Sequence, residues 1–122
     1  MKILVVDDEA DYRFLMRDLF LQEGHEVLLA ENGEEGLEKL KNHPIDLIVT
    51  DIYMPVMDGF KLHRVIRSTP KWEKLPIVFV SAYDDQHSVD VVQDPTIETF
   101  LRKGRPFSDI KKRMTQLTIS KR

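Results

Sequence analysis

Three separated apolar runs in this chain each end in an acid or a hydroxyl: Ile3 to Val6 in Asp7-Asp8, Ile45 to Thr50 in Asp51, and Ile77 to Val80 in Ser81. Short runs of this kind, alternating with amphipathic segments, argue for βαβ units and a parallel sheet. If the runs are neighbouring parallel strands, their carboxyl ends bring three carboxylates and a hydroxyl to one sheet edge. Open α/β folds bind ligands at that edge. Clustered oxygens there suit a hard cation such as Mg²⁺ and a phosphoryl group.

The remaining segments complete five such units. A first strand over Lys2 to Val6 leads into a helix with Tyr12, Leu15, Met16, Leu19 and Phe20 at helical spacing, closed by Gly24 in a C′-type position. Val27 to Ala30 reads as a second strand and Asn32-Gly33 as a turn. Leu37 and Leu40 mark the inner stripe of a second helix, which Pro44 stops before the Ile45 to Thr50 strand. That strand is almost wholly apolar and is expected at the sheet centre, covered on both faces. Phe60, Leu62, Val65 and Ile66 define a third helix, and Pro70 and Pro76 frame a loop before the strand at Ile77 to Val80. Val89, Val91 and Val92 indicate a weak fourth helix ended by Pro95, Ile97 to Leu101 a fifth strand, and Ile110, Met114 and Leu117 a last helix.

At 122 residues, 42% hydrophobic and 32% charged, the chain is expected to form one compact soluble domain, with no second domain for output. The formal charge of −3 offers no general attraction to nucleic acid, and the basic residues Lys111, Lys112, Arg113, Lys121 and Arg122 read as a solvated helix face. The absence of cysteine excludes disulfides, thiol catalysis and Cys-ligated zinc. The apolar N-terminal stretch is too short to span a bilayer and meets acids at once, so a cytoplasmic location is expected.

Asp7-Asp8-Glu9, the segment Asp51-Ile52-Tyr53-Met54-Pro55-Val56-Met57-Asp58-Gly59, Ser81-Ala82 and Lys103 together resemble the response-regulator receiver domain of two-component signalling. The resemblance covers essentially the whole chain, and the ordered set is far more specific than any one piece. It implies a flavodoxin-like, doubly wound α/β fold with five parallel strands in the order 2-1-3-4-5 and helices on both faces. It further implies a phosphoacceptor rather than an enzyme with turnover. Asp51 would take a phosphoryl group from the phosphohistidine of a sensor histidine kinase or a histidine phosphotransfer protein. Asp8 would bind Mg²⁺ directly, Asp7 mainly through water, and Asp51 and the Tyr53 backbone carbonyl would complete the oxygens. Ser81 and Lys103 would hold the phosphoryl oxygens, and Ser81 with Phe100 would form the switch. The output surface would be the fourth helix, fifth strand and fifth helix, facing a downstream protein or a second copy, with no direct nucleic-acid or membrane contact.

Each residue also has a plainer reading. Asp51 and Ser81 would be strand-end residues capping turns, Asp7 and Asp8 helix N-caps, Lys103 a surface lysine and Phe100 core packing. Two features depart from the family pattern. Lysine is followed by Gly104-Arg105 before Pro106, where the family has lysine followed directly by proline. Lys103 is preferred as the site lysine over Arg105, because its strand-like approach is intact and arginine mimics lysine poorly. Asp94-Pro95-Thr96-Ile97 stands where the family commonly has a small Gly-Ala step, which makes the fourth helix irregular. Tyr53 and Tyr83, each two residues after a site residue, either flank the route of a hydrolytic water or lie on the surface. His25, His43, His63 and His87 and Trp72 show no partners in the sequence and read as packing or surface residues. The rival functions are a phosphorylation-independent interaction module and a Mg²⁺-dependent phosphohydrolase.

Overall fold

A computed structural model describes residues 1–121. The chain alternates β1 (Lys2–Val6), α1 (Ala10–Gln22), β2 (Glu26–Ala30), α2 (Gly33–Asn42), β3 (Leu47–Asp51), α3 (Gly59–Arg67), a 3₁₀ turn at Pro70–Trp72, β4 (Ile77–Ser81), α4 (Gln86–Val89), β5 (Glu98–Arg102) and α5 (Phe107–Lys121). The five strands form one sheet in the order β2-β1-β3-β4-β5, and every pairing is parallel. This is the doubly wound flavodoxin-like architecture, and all residues of β3 and β4 are buried, as central apolar strands require.

Strand alternation sorts the core into two layers. Leu4, Val6, Ile48, Ile77 and Phe79 face Leu40 of α2 and Leu62 and Ile66 of α3. Ile3, Val5, Val49, Val78 and Val80 face Met16 and Phe20 of α1 and Ile110, Met114 and Leu117 of α5. The pairs Val6↔Thr50 and Asp51↔Val80 align the strand ends, so the residues that follow emerge at one edge.

Several local expectations are corrected. β3 starts at Leu47, not Ile45, because the Asp46 carboxylate turns back to accept the Lys2 N–H at 2.8 Å. Leu15 is 51% exposed and lies off the inner stripe of α1, whereas Arg13 is buried. Asn32 caps α2 by accepting the Glu35 N–H at 2.9 Å, so Gly33 opens the helix instead of closing a turn. Gly24, at φ +87°, ends α1 as expected.

The larger correction concerns α4. It is four residues long and stops before Val91 and Val92, which were expected within it. The N–H groups of Val91 and Val92 turn back to Ser88 O and Val89 O at 3.2 and 3.4 Å, a tighter turn that ends the helix. Glu98, 2% exposed at the start of β5, holds the chain that follows. One of its carboxylate oxygens accepts the N–H groups of Gln93 at 2.8 Å and Asp94 at 3.2 Å, drawing them away from helical carbonyls. The other lies 2.6 Å from His63 Nε2 and accepts from Arg67 Nε at 2.6 Å, tying α3 to β5. His63 is therefore a buried partner of an acid thirty-five residues away, a pairing invisible in one-dimensional spacing.

Burial opposes ionisation of Glu98, but the hydrogen bonds from His63, Gln93 and Arg67 outweigh it and hold its pKa near 2, below the ordinary 4.5. A depressed acid contributes stability above its unfolded pKa and loses it as pH falls through the folded value. Stability is expected to fall as pH drops from about 4.5 towards about 2. Glu98→Ala is expected to cost about 3–5 kcal/mol at pH 7, because it strands buried donors, and to flatten this acid limb. Urea unfolding of both proteins across that pH range measures both effects.

Candidate functional site

The carboxyl ends of β1 and β3 bring Asp7, Asp8 and Asp51 together, with one carboxylate oxygen of each within 4.8 Å of the others. Asp7 is fully buried, Asp51 is 7% exposed, and Asp8 faces solvent. Asp7 is held on both sides of its backbone: its N–H donates to Ala30 O at 3.0 Å, and its carbonyl accepts from Arg13 Nη1 at 2.8 Å. Its Oδ1 accepts the Glu9 N–H at 2.9 Å, which fixes the carboxylate at the entrance to α1. Asp51 Oδ1 accepts the Ile52 N–H at 2.7 Å. Both buried acids are thus oriented by backbone N–H groups, an arrangement that leaves their second oxygens to face the cluster.

Lys103 enters this cluster from the end of β5. Its N–H donates to Ser81 O at 2.8 Å, extending the pairing of β4 and β5 by one residue. Its ammonium lies 2.8 Å from Asp7 Oδ2 and 3.1 Å from both Asp51 Oδ2 and Glu9 Oε1. It also sits 4.6 Å from the centroid of the Tyr12 ring. Arg105 points elsewhere, its Nε 2.9 Å from Asp109 Oδ2 in the first turn of α5.

Burial pushes the Asp7 carboxyl up to about 6, with the Lys103 ammonium and the Glu9 N–H pulling the other way. Burial likewise raises Asp51, again opposed by Lys103. Burial disfavours the Lys103 ammonium, but the two carboxylates outweigh it and keep the lysine charged well above its ordinary range. One cation facing several crowded carboxylates leaves negative charge in excess. Asp7 Oδ2 is moreover fully buried, and the Lys103 ammonium at 2.8 Å is the charge that faces it. A buried carboxylate oxygen beside two further carboxylates, with one ammonium to balance them, fits Mg²⁺, a hard cation that takes few protein oxygens.

Ser81 is fully buried, and its Oγ accepts the Tyr83 N–H at 3.1 Å. The loop after β3 closes the opposite side. A Cβ on Gly59 would stand 2.5 Å from Asp51 O, so glycine is needed for α3 to start this close to the site. Tyr53 is half exposed. Its ring meets Tyr83 and Phe60 edge-on, at 5.7 and 5.8 Å, and its hydroxyl lies 3.0 Å from Ser88 Oγ on α4. Phe100 is partly buried against the core layer of α2 and α3, and borders a groove of about 290 Å³ with Val89, Val92, Pro95, Arg113 and Leu117.

Sequence reasoning did not find Arg13, Ser88 or the placement of Tyr12 beneath Lys103. Tyr12 fits the apolar period of α1 and so reads as core, while Arg13 and Ser88 carry no motif signal.

A doubly wound parallel sheet with acids, a serine and a lysine gathered at its carboxyl edge is the form of a signalling receiver. The chain belongs to the response regulator receiver domain family, whose model matches residues 3–115. An uncharacterized 14.6 kDa protein of Leptolyngbya boryana is 45% identical over 83 residues, 68% of this chain and 63% of that protein. A chemotaxis protein CheY homolog of Campylobacter jejuni is 33% identical over 88% of this chain and 83% of its own length. The crystal structure of the Thermotoga maritima response regulator TrrA, in complex with Mg²⁺-BeF, superposes with a TM-score of 0.80 at 33% identity, covering 95% of this chain and 97% of that one. Two longer curated relatives are matched over only 13% and 12% of their lengths.

Val56, in the loop between Asp51 and Gly59, takes φ +71° and is 74% exposed. A β-branched residue is strained there and has little packing to lose. Val56→Asn is expected to raise stability by about 1 kcal/mol, read as an increased urea midpoint with an unchanged m-value.

Proposed function

We propose that this chain is a two-component phosphoacceptor, modified on Asp51 by the phosphohistidine of a sensor histidine kinase or a histidine phosphotransfer protein. The observation that carries this reading is the Lys103 ammonium, 2.8 Å from Asp7 and 3.1 Å from Asp51, within a cluster of three carboxylates. Phosphoryl transfer depends chiefly on positioning and charge neutralisation. In this reading an Asp51 carboxylate oxygen bonds to phosphorus as the bond from phosphorus to the donor imidazole nitrogen breaks. The Ile52 N–H fixes the carboxylate's orientation, and Lys103 offers a fixed positive charge to the phosphoryl oxygens.

Asp7, Asp8, Asp51 and the Tyr53 carbonyl would hold Mg²⁺. When bound, the ion supplies further neutralisation of the acids and the incoming phosphate. The Ser81 hydroxyl, whose Oγ accepts the Tyr83 N–H, would donate its own hydrogen to a phosphoryl oxygen, and Phe100 would move inward with it. The altered surface of α4, β5 and α5 would then engage a downstream protein or a second copy of the chain. The reading involves no nucleic acid or membrane and has the chain act in the cytoplasm. Among the described residues no helix is long and apolar enough to cross a membrane.

A second reading is a receiver fold that binds its partner without phosphorylation. The four-residue α4, followed by a segment held by Glu98, is the observation in its favour. Intact-mass measurement with Mg²⁺ and acetyl phosphate separates the two. A single Mg²⁺-dependent phosphoryl adduct is expected, absent in Asp51→Asn and formed about 100-fold more slowly in Lys103→Ala. No adduct on folded wild-type protein would favour the second reading, and continuous phosphate release would indicate a hydrolase. If Tyr53 and Tyr83 restrict water, replacing both with serine should shorten the lifetime of the adduct, and an unchanged decay rate would exclude that role.

A further inference from the structure

Lys103 lacks a covalent restraint on its C-terminal side. It is followed by Gly104 at φ +93°, whose added Cβ would meet no atom within 4 Å. Glycine in open space leaves the backbone its widest freedom. A lysine side chain also has among the largest rotamer freedoms to lose on ordering. Yet this side chain is only 13% exposed and is held among four groups. Three are the carboxylates of Asp7, Glu9 and Asp51, and the fourth is the ring of Tyr12.

These four restraints differ in kind. Asp7 and Asp51 are the groups that a cation or a phosphoryl group would engage, so their hold on the ammonium weakens when it is most needed. Glu9 is a solvent-exposed side chain and forms a screened pair of small value. Tyr12 neither coordinates a cation nor accepts a phosphoryl group. It stands on the first turns of α1, three residues past Glu9, and packs on the core layer of Ile3, Val5 and Met16 while the Lys103 ammonium lies near its ring. The core therefore fixes the ring, and the ring's electron-rich face offers the ammonium a constant attraction.

We propose that Tyr12 is a positioning residue for phosphoryl transfer, its ring holding the Lys103 ammonium over the acid cluster in place of a restraint in the backbone that follows. This inference rests on the phosphoacceptor reading above. The ring face, not the hydroxyl, does the holding, so Tyr12→Phe should behave as wild type. Tyr12→Leu keeps apolar volume for the core but removes the face.

The test follows three quantities in wild type, Tyr12→Phe, Tyr12→Leu and Tyr12→Met: the acetyl phosphate modification rate at saturating Mg²⁺, Mg²⁺ affinity by calorimetry, and the NMR shifts of the Lys103 side-chain methylenes. Wild type and Tyr12→Phe should show ring-current shifts at Lys103 and equal rates. Tyr12→Leu and Tyr12→Met should lose the ring-current shift and slow by about 2- to 30-fold, the range for loss of a cation–π contact, with Mg²⁺ affinity unchanged. A rate in either aliphatic variant equal to wild type overturns the proposal, as does a Tyr12→Phe rate as slow as theirs. Equal losses in rate and Mg²⁺ affinity would also overturn it, marking a general disturbance of the fold. If Tyr12→Leu does not fold, Tyr12→Met decides by the same criteria. A wild-type protein that shows the ring-current shift but forms no adduct refutes the phosphoacceptor reading itself, and this inference with it. That result is distinct from a failure of Tyr12 alone.

Discussion

Asp7 and Asp51 stand together at the carboxyl edge of an apolar sheet, and their mutual repulsion is balanced by one ammonium. Each acid is desolvated by the strands it terminates, which favours the protonated form. Lys103 opposes that tendency by reaching across from β5, and its backbone is positioned by the last link of the β4 and β5 pairing. The geometry of the site therefore depends on the register of the whole sheet. A residue just after β5 can neutralise residues at the ends of β1 and β3 only because β4 holds β5 beside β3 in correct alignment.

The same dependence explains why Glu98 matters at the other end of β5. It joins α3, the segment after α4 and the first residue of the strand through one buried carboxylate. By taking the N–H groups of Gln93 and Asp94 it holds the chain between α4 and β5 in an irregular path. Strand β5 is thus anchored by an acid at its start and delivers a cation at its end. The aromatic arc of Tyr83, Tyr53 and Phe60, with the Tyr53 hydroxyl on Ser88, links the loop after Asp51 to the shortened helix. α4 therefore contacts the site loop through a side chain as well as through its own connection to β4.

Much of this was legible in the chain. The apolar runs identified β1, β3 and β4, because a strand covered on both faces needs uninterrupted apolar residues whatever its neighbours are. The acids after them marked the edge at which a site would form, and the ordered motif set supplied the topology that periodicity alone leaves open. Lys103 was favoured over Arg105 from its strand-like approach, and the structure places the Lys103 ammonium among the acids and Arg105 on Asp109. Local expectations failed where a distant group intervened. The Asp46 side chain delays β3 by meeting Lys2, and Glu98 holds the segment after α4 out of the helix. His63 read as partnerless because its partner is on another element.

What the sequence by itself determined is the pattern: alternating elements, two-sided central strands, and carboxylates and a hydroxyl at strand ends. Hydrophobic period and turn chemistry act over a few residues, so they can be read along the chain. Only the tertiary structure decided which face Tyr12 presents to Lys103, how Glu98 gathers three segments, and how one ammonium comes to serve Asp7, Glu9 and Asp51 together. Those contacts join residues tens of positions apart. Their existence depends on sheet order and register, quantities that arise only when the core has packed.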